Sequence, residues 1–319
     1  MVRTGEGFPV RVGVHSGQQY GSFEEIERLW SRAGELEFDW VSLFDHFRPP
    51  LGGETGPCLD GATALAGLAA RVGRVRCAML VAAPTWRHPA QLALAAATID
   101  HISGGRLELG LGAGGPDLGY AEYGIPFPGF AERLELLDET CRVVRSLFAN
   151  ESTTFAGRHA TLTDARMRPK PVQEHVPFVI GGAGPRLLRI AAEHADTWNA
   201  LAGDLDGYRA AADTLARSCV EIGRDPGTIR RSVTFRAVLA ADADELAERV
   251  AERRSLAPAA DLREYVTFGT TEQCAEDLAP YAEAGATDFL LGLRPPIDWR
   301  TMELFATEVA PALRGWAGR

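Results

Sequence analysis

Short apolar, often β-branched runs alternate with longer segments of helical period from one end of the chain to the other. Val10–Val14 predicts a first strand, and Ser22-x-x-Glu25 has the spacing of a capping box. That box opens a helix whose apolar face is Phe23, Ile26, Trp30, Ala33 and Leu36. Asp39–Phe44 predicts a second strand, followed by a Pro/Gly-rich loop to about Pro57 and an Ala/Leu helix to Val72. Arg76–Ala82 is a third strand, His88-Pro89 starts a helix ending near Ile102, and Arg106–Leu111 makes a fourth strand. Leu134, Leu137, Cys141, Val144 and Phe148 mark the next helix, and Thr153–Ala165 alternates as a small hairpin around Gly157. Further strands fit at Pro177–Ile180, Thr197–Ala200, Ser232–Leu239 and Asp288–Leu291. Helical patterns fill 185–195, 204–222, 243–254 and 271–285, with a last helix at 298–313. Eight strands, each followed by a helix and undivided by any linker, predict one TIM (β/α)8 barrel over residues 1–319. An insertion at about 115–170 separates the fourth and fifth strands, and a doubly wound open sheet is the competing arrangement.

Composition narrows the function classes. A chain of 319 residues with 46% apolar and 24% charged residues has ample core and no signature of disorder or coiled coil. The net charge of −10 argues against nucleic acid as a partner, since neutralising phosphates needs a basic face. Cys58, Cys77, Cys141, Cys219 and Cys274 are scattered and odd in number, which suggests reduced thiols in a cytoplasmic protein. Residues 1–9 carry no apolar signal core, and the Ala-rich run 90–99 is too short to span a membrane, so neither secretion nor insertion is expected. Lys170 is the sole lysine and lies in Pro169-Lys170-Pro171, which leaves Schiff-base aldolase chemistry without a residue to run on.

In a barrel, chemistry belongs at the C-terminal strand ends. Those positions hold His15-Ser16, Asp45-His46, Val81-Ala82-Ala83, the 110–115 glycine cluster, Gly181–Gly184, Trp198-Asn199 and Gly292-Leu293-Arg294. No His-x-His, His-Glu-x-x-His or Gly-x-Ser-x-Gly pattern occurs, so no metal site or serine elbow is expected. Gly110-Leu111-Gly112-Ala113-Gly114-Gly115 matches a dinucleotide fingerprint in form only, because Pro116 follows where a helix should open. Small residues at such a strand end let a ring or backbone come close. Gly181-Gly182-Ala183-Gly184-Pro185 sits between a strand and a helix that Pro185 can start, where free N–H groups and the helix dipole favour a phosphate; a plain glycine turn is the alternative. Arg186, and Arg189 one turn on, would add charge-assisted bonds. Asp45-His46 is the sole acid–base pair at a strand end, suited to proton exchange or to a structural hydrogen bond.

Several segments together resemble the luciferase-like monooxygenase superfamily, in particular its coenzyme F420-dependent (deazaflavin) oxidoreductase branch. They are Trp40–Phe47 with its Asp45-His46, Arg87-His88-Pro89-Ala90, Asp100–Leu107 with Ser103-Gly104-Gly105-Arg106, and the glycines 110–114. Glu122–Phe127, Ile180–Gly184, Ala195–Asn199, Phe268-Gly269-Thr270 and Ala284-Gly285-Ala286 continue the likeness in order. The resemblance implies a homodimeric barrel holding a flavin or deazaflavin at the strand C-termini. Its ring would lie against a bulge at Met79-Leu80-Val81, often with a non-proline cis peptide, and its phosphate side would meet Gly181-Gly182-Ala183-Gly184. In the sugar-phosphate dehydrogenases of the branch, the residue matching His46 moves the substrate proton, and Asp45 would sit beside the cofactor. Those enzymes carry a glutamate just after Gly-x-Gly, where this chain has Gly115-Pro116.

The expected function is therefore an F420-dependent oxidoreductase passing a hydride between deazaflavin C5 and a small organic substrate, with His46 and Asp45 as catalytic residues. Cofactor contacts are expected from Asp45, Met79, Leu80, Val81, Gly112, Ala113, Gly114, the 181–184 loop and Arg186. The alternatives are an FMN-dependent monooxygenase using reduced flavin and oxygen, a barrel that binds a flavin or phosphate ligand without turnover, and a lyase or isomerase for a phosphorylated metabolite. Either redox reading needs a separate reductase or dehydrogenase as the source of reduced cofactor. Loops 46–57, 115–130 and 150–166 are expected to set the substrate.

Overall fold

A computed structural model describes residues 7–49, 56–115, 119–256 and 267–316; Pro50, Gly52-Gly53 and Pro116 lie outside them. Eight parallel strands close a barrel in the order β1 (Arg11–Ser16), β12 (Asp288–Leu293), β9 (Arg230–Phe235), β8 (Thr197–Leu201), β7 (Phe178–Gly181), β4 (Leu107–Leu111), β3 (Arg76–Ala82), β2 (Trp40–Leu43). Helices α1 (Phe23–Glu35), α2 (Gly61–Arg71), α3 (Pro89–Ser103), α4 (Phe130–Ala149), α5 (Pro185–His194) and α6 (Leu205–Glu221) wrap it. The capping box forms as its spacing required: Ser22 Oγ accepts from Glu25 N, and Glu25 accepts from Ser22 N. The barrel expectation holds, and the open-sheet alternative does not.

The run Ser232–Leu239, expected as one strand, is two. The chain leaves the barrel wall after Phe235, and β10 (Ala237–Ala240) pairs in parallel with β11 (Thr267–Thr270) in a separate sheet. Both stretches are buried, so hydropathy alone runs through the break; Leu239 N donates to Thr301 Oγ1 instead of to a barrel strand. Two further helices, α7 (Ala243–Leu256) and α8 (Thr271–Glu283), join this second excursion, between the seventh and eighth barrel strands. The last helix is α9 (Trp299–Leu304) and α10 (Ala310–Trp316) joined through a π-helical turn.

The other insertion carries α4 and a hairpin of β5 (Thr153–Ala156) and β6 (Thr161–Ala165). The hairpin lies along the outer flank of α4, where Glu139 accepts from the backbone of Arg158, His159 and Ala160. Residues 150–166 thus pack on the outer wall, and their expected part in setting the substrate does not follow from this placement.

The interior is filled in layers. At the N-terminal floor, Glu108 and Asp288 are sealed from solvent and held by Arg11, Arg76 and Arg230. Arg76 Nε is 2.6 Å from Glu108 Oε1, and Arg230 Nη2 is 2.6 Å from Asp288 Oδ1. Above them Trp40, Ala78, Leu80, Val179 and Leu290 form a small apolar plug. Gly13 makes room for it, since a Cβ there would come within 2.6 Å of the Trp40 indole. Above the plug the lining turns polar, with His15 and Ser42 on one side and Asn199, Ser232 and Thr234 on the other.

Candidate active site

The turn after β2 carries the proposed acid–base pair. Gln18 Oε1 accepts from Phe44 N at 3.1 Å, and Gly61 lets α2 press against the turn, since a Cβ there would stand 2.4 Å from Phe44 O. Asp45 is 1% exposed, and its Oδ2 is 2.5 Å from Arg87 Nη1; Arg87 also reaches Asp60, the N-cap of α2. Asp45 is thus clamped in an ion pair that ties β2 to α2 and to the loop before α3. His46 lies face to face with Phe44 at 4.9 Å, with Trp86 edge-on at 6.4 Å. Its Nδ1 is buried without a protein partner, whereas Nε2 stays open to the mouth.

Burial sets the charge states. It pushes the Asp45 carboxyl up to about 6 in spite of Arg87, and holds the His46 imidazole down at about 4, neutral at neutral pH. His15, mostly buried at the base of the mouth, is lowered to about 3 by burial first, and then by the repulsion its charged form would meet from Arg236 and from a protonated His46. A histidine depressed below its unfolded value of about 6.5 contributes stability that is full above that pH and is lost on acidification, as the unfolded chain takes up protons first. Asp45 works in the opposite sense, its contribution present below about 4 and lost as pH rises through about 6. With two histidines against one carboxyl, urea unfolding at pH 5 should show lower stability than at pH 7. His46→Gln should shrink that difference by about 1–2 kcal/mol. An unchanged difference would place the His46 pKa near its ordinary value.

Between β3 and β4 the register shifts from Met79 to Ala82, and the Leu80–Val81 peptide is cis, within the stretch the resemblance pointed to. Gly110 is required there, since a Cβ would lie 2.0 Å from Met79 O, and one at Gly112 would meet Val81 Cγ2 at 2.5 Å. Leu80 and Val81 belong to the inner plug, while Met79 packs outward into the core under the helices. Ala113 is buried, and Gly114, at φ 80°, passes beside Ala83 and the Tyr120 hydroxyl. An aromatic wall rises from here: Phe47 stacks on Trp86 at 4.0 Å, and Tyr120, Tyr123 and Phe127 continue it.

Across the barrel, Gly181–Gly184 links β7 to α5. Gly182 has φ 130°, its N–H donates to Asn199 O, and its carbonyl accepts from Trp198 Nε1 at 2.7 Å. Gly184 is the N-cap of α5 with Pro185 at the first turn, and a Cβ on it would meet nothing within 4 Å. An open space at a helix N-terminus, facing N–H groups that lack intrahelical acceptors, suits a phosphate. Arg186 is exposed and lines the grooves on either flank of α5, one with Asp138 and Glu193 and the other with Thr214 and Arg217. The open space before α5, the glycines of β4 and the orphaned ring nitrogen of His46 together are compatible in chemistry with a flat redox ring carrying a phosphate-bearing tail.

Other motifs turn out to be joints. Ser103 Oγ accepts from Arg106 N, the Arg106 guanidinium holds Ser103 O, Val75 O and Ala69 O, and Gly104 and Gly105 take φ 67° and 84°. The Ser-Gly-Gly-Arg stretch thus turns α3 into β4. Asp196 receives Phe178 N and Arg145 at the lower edge of β8. Lys170 Nζ caps the C-terminal end of α4 through Leu147 O and Asn150 O. All five cysteines are free. Four groups at or bordering the mouth carried no sequence signal of their own: Ser42, Trp86, Tyr120 and the role of Arg87 as clamp for Asp45.

A closed parallel barrel with an acid–base pair and two glycine-rich loops at its strand C-termini defines a TIM-barrel protein whose candidate site lies at that end. The chain belongs to the luciferase-like monooxygenase family, whose model matches residues 7–260. It is 28% identical to the F420-dependent glucose-6-phosphate dehydrogenase of Intrasporangium calvum, over 94% of this chain and 97% of that one. An F420-dependent secondary alcohol dehydrogenase, solved with an F420–acetone adduct, superposes with a TM-score of 0.82 at 20% identity, covering 96% of this chain and 99% of the other. The FMN-bound oxygenating component of 3,6-diketocamphane monooxygenase from Pseudomonas putida has a TM-score of 0.78 at 17% identity, over 95% and 98% of the two chains. The barrel is thus common to proteins that use either cofactor. No helix among the described residues is long and apolar enough to cross a membrane.

Proposed function

We propose that the chain is a coenzyme F420-dependent oxidoreductase acting on a small organic alcohol or carbonyl compound. The observation that carries it is His46: a neutral imidazole with Nε2 open to the mouth, beside a ring site and in the stretch shared with the F420-dependent branch. Near end-to-end likeness to F420-dependent glucose-6-phosphate dehydrogenases supports the same cofactor. Bound here, the deazaflavin supplies a two-electron hydride acceptor or donor at C5. Leu80, Val81, Gly112, Ala113 and Gly114 hold the ring, and Gly181–Gly184 with the α5 N-terminus hold the phosphate. His46 Nε2 takes the hydroxyl proton as an alcohol is oxidised, or returns it as a carbonyl is reduced. Phe47, Trp86 and Tyr120 exclude water from that proton. Asp45, through Arg87 and Asp60, positions the turn that carries His46. Homodimer formation, a cytoplasmic location and a separate F420-reducing enzyme belong to this reading.

Titrating the purified protein with F420 and with FMN tests it. F420 should bind at least about tenfold more tightly, a difference of about 1.4 kcal/mol; tighter FMN binding would make the chain a flavin monooxygenase instead. Gly184→Asp tests the phosphate cradle separately. Aspartate is a favoured N-cap and has open space here, so thermal stability should hold or rise. Its carboxylate would repel the phosphate and weaken F420 by about tenfold or more, roughly 1.4 kcal/mol. Unchanged affinity would move the phosphate elsewhere.

A further inference from the structure

The mouth holds a second histidine that this reaction has not used. His15 stands on β1 directly beside Ser42 of β2 in the strand register, and its Nδ1 is 2.8 Å from Ser42 Oγ. Ser42 is fully buried, and among the described residues His15 Nδ1 is the one partner of its hydroxyl oxygen. A sealed hydroxyl must donate its hydrogen, and Nδ1 is the acceptor in reach. Were Nδ1 to carry a proton, the Ser42 hydrogen would be left buried with nowhere to go. The imidazole proton therefore belongs on Nε2, an assignment made from the hydrogen-bond pattern. Nε2 makes no protein hydrogen bond among the described residues and is not one of the sealed, orphaned atoms of the interior. It faces the mouth as a donor without a partner.

The neighbours of His15 make that donor useful. Its ring meets the edge of Phe44 at 4.2 Å, and Phe44 stacks on His46, so the two imidazoles flank one phenyl ring at the ends of adjacent strands. The titratable and charged groups acting on His15 are His46 and Arg236, both of which favour its neutral form. A neutral ring with a fixed tautomer keeps its N–H donor at neutral pH.

We propose that His15 is a second catalytic residue, whose Nε2–H holds the reacting oxygen of the substrate, and that Ser42 is the positioning residue that fixes its tautomer. The inference rests on the F420-dependent reading above and supplies a donor for the oxygen of its alcohol or carbonyl substrate. In oxidation the carbinol C–H pair leaves as hydride to the deazaflavin, the O–H bond breaks with its proton passing to His46, and the oxygen becomes a carbonyl still bonded to His15 Nε2–H. In reduction the same donor would polarise the carbonyl, a hydride from the reduced deazaflavin would add to carbon, and the oxygen would take the proton that His46 had first picked up from solvent. His15 keeps its own proton in both directions.

The test combines nuclear magnetic resonance with kinetics on the full chain. In the 15N-histidine-labelled protein, His15 should show a protonated Nε2 and an unprotonated Nδ1, and Ser42→Ala should mix the two tautomers. With F420 loaded and 2-propanol or glucose 6-phosphate as substrate, His15→Phe should lower kcat about 10²–10³-fold while F420 affinity stays within about threefold. His15→Gln, which restores an N–H donor on the same strand, should recover part of that loss. A wild-type Nδ1–H tautomer, or turnover by His15→Phe within threefold of wild type, would overturn the inference and leave the F420 reading standing. Failure of wild type to bind F420 would overturn both, and the binding titration reports that separately.

Discussion

His46→Ala should lower turnover with F420 by about 10²–10⁴-fold while leaving the F420 dissociation constant within about threefold. The large effect follows from the position of the ring. His46 is the imidazole whose Nε2 is open at the end of β2, and burial keeps it unprotonated down to about pH 4, so its acceptor form is present throughout the neutral range. The small effect follows from where the proposed cofactor site lies, on backbone and glycine at β3, β4 and the α5 N-terminus. Stopped-flow reduction of F420 measures the first quantity and fluorescence titration the second. Unchanged turnover would return His46 to a packing role against Phe44. A parallel collapse of affinity would mean that the ring touches the cofactor more than the substrate.

The largest effect on stability is expected far from the mouth. Asp288→Ala removes a sealed carboxylate that receives both Arg11 and Arg230. Truncating one partner of a buried ion pair costs about 3–5 kcal/mol, because the opposing charge is left without compensation. Here two guanidiniums are affected, and the remaining carboxylate, Glu108, already serves Arg11 and Arg76. Urea unfolding followed by circular dichroism should show the unfolding free energy falling by that amount, as a lower midpoint with the slope unchanged. A loss below about 1 kcal/mol would show that the floor behaves as a solvated surface network. F420 affinity at low urea should stay near wild type, since the apolar plug of Trp40, Ala78, Leu80, Val179 and Leu290 separates floor from mouth.

The order of strands and helices was legible from hydropathy because each barrel strand is a short apolar run and each helix presents one apolar face to it. Ser22, Glu25, His88, Pro89 and Pro185 announced helix starts through their own capping chemistry, and the structure uses each of them so. The break after Phe235 was not legible, because β9 and β10 are both buried and no turn residue separates them. Nor was the outer-wall position of the 150–166 hairpin, which depends on Glu139 reaching three backbone N–H groups across space.

For the candidate site, strand-end counting pointed to Asp45, His46 and both glycine loops. It did not tell that Asp45 is clamped by Arg87 while His46 Nε2 is open, since the two are adjacent in sequence and the turn sends them opposite ways. His15 stood on the same strand-end positions, but its tautomer is set by Ser42, 27 residues away.

By itself, then, the amino-acid sequence determined the rhythm of elements that a barrel needs, because period and capping are local properties, while the family was reached through resemblance of its motifs. Tertiary structure alone decided which polar atoms are sealed and which are open, which carboxylates meet arginines, and which histidine nitrogen carries a proton. Those depend on strands closing beside one another, where burial and a partner from a distant segment outweigh the intrinsic preference of any single residue.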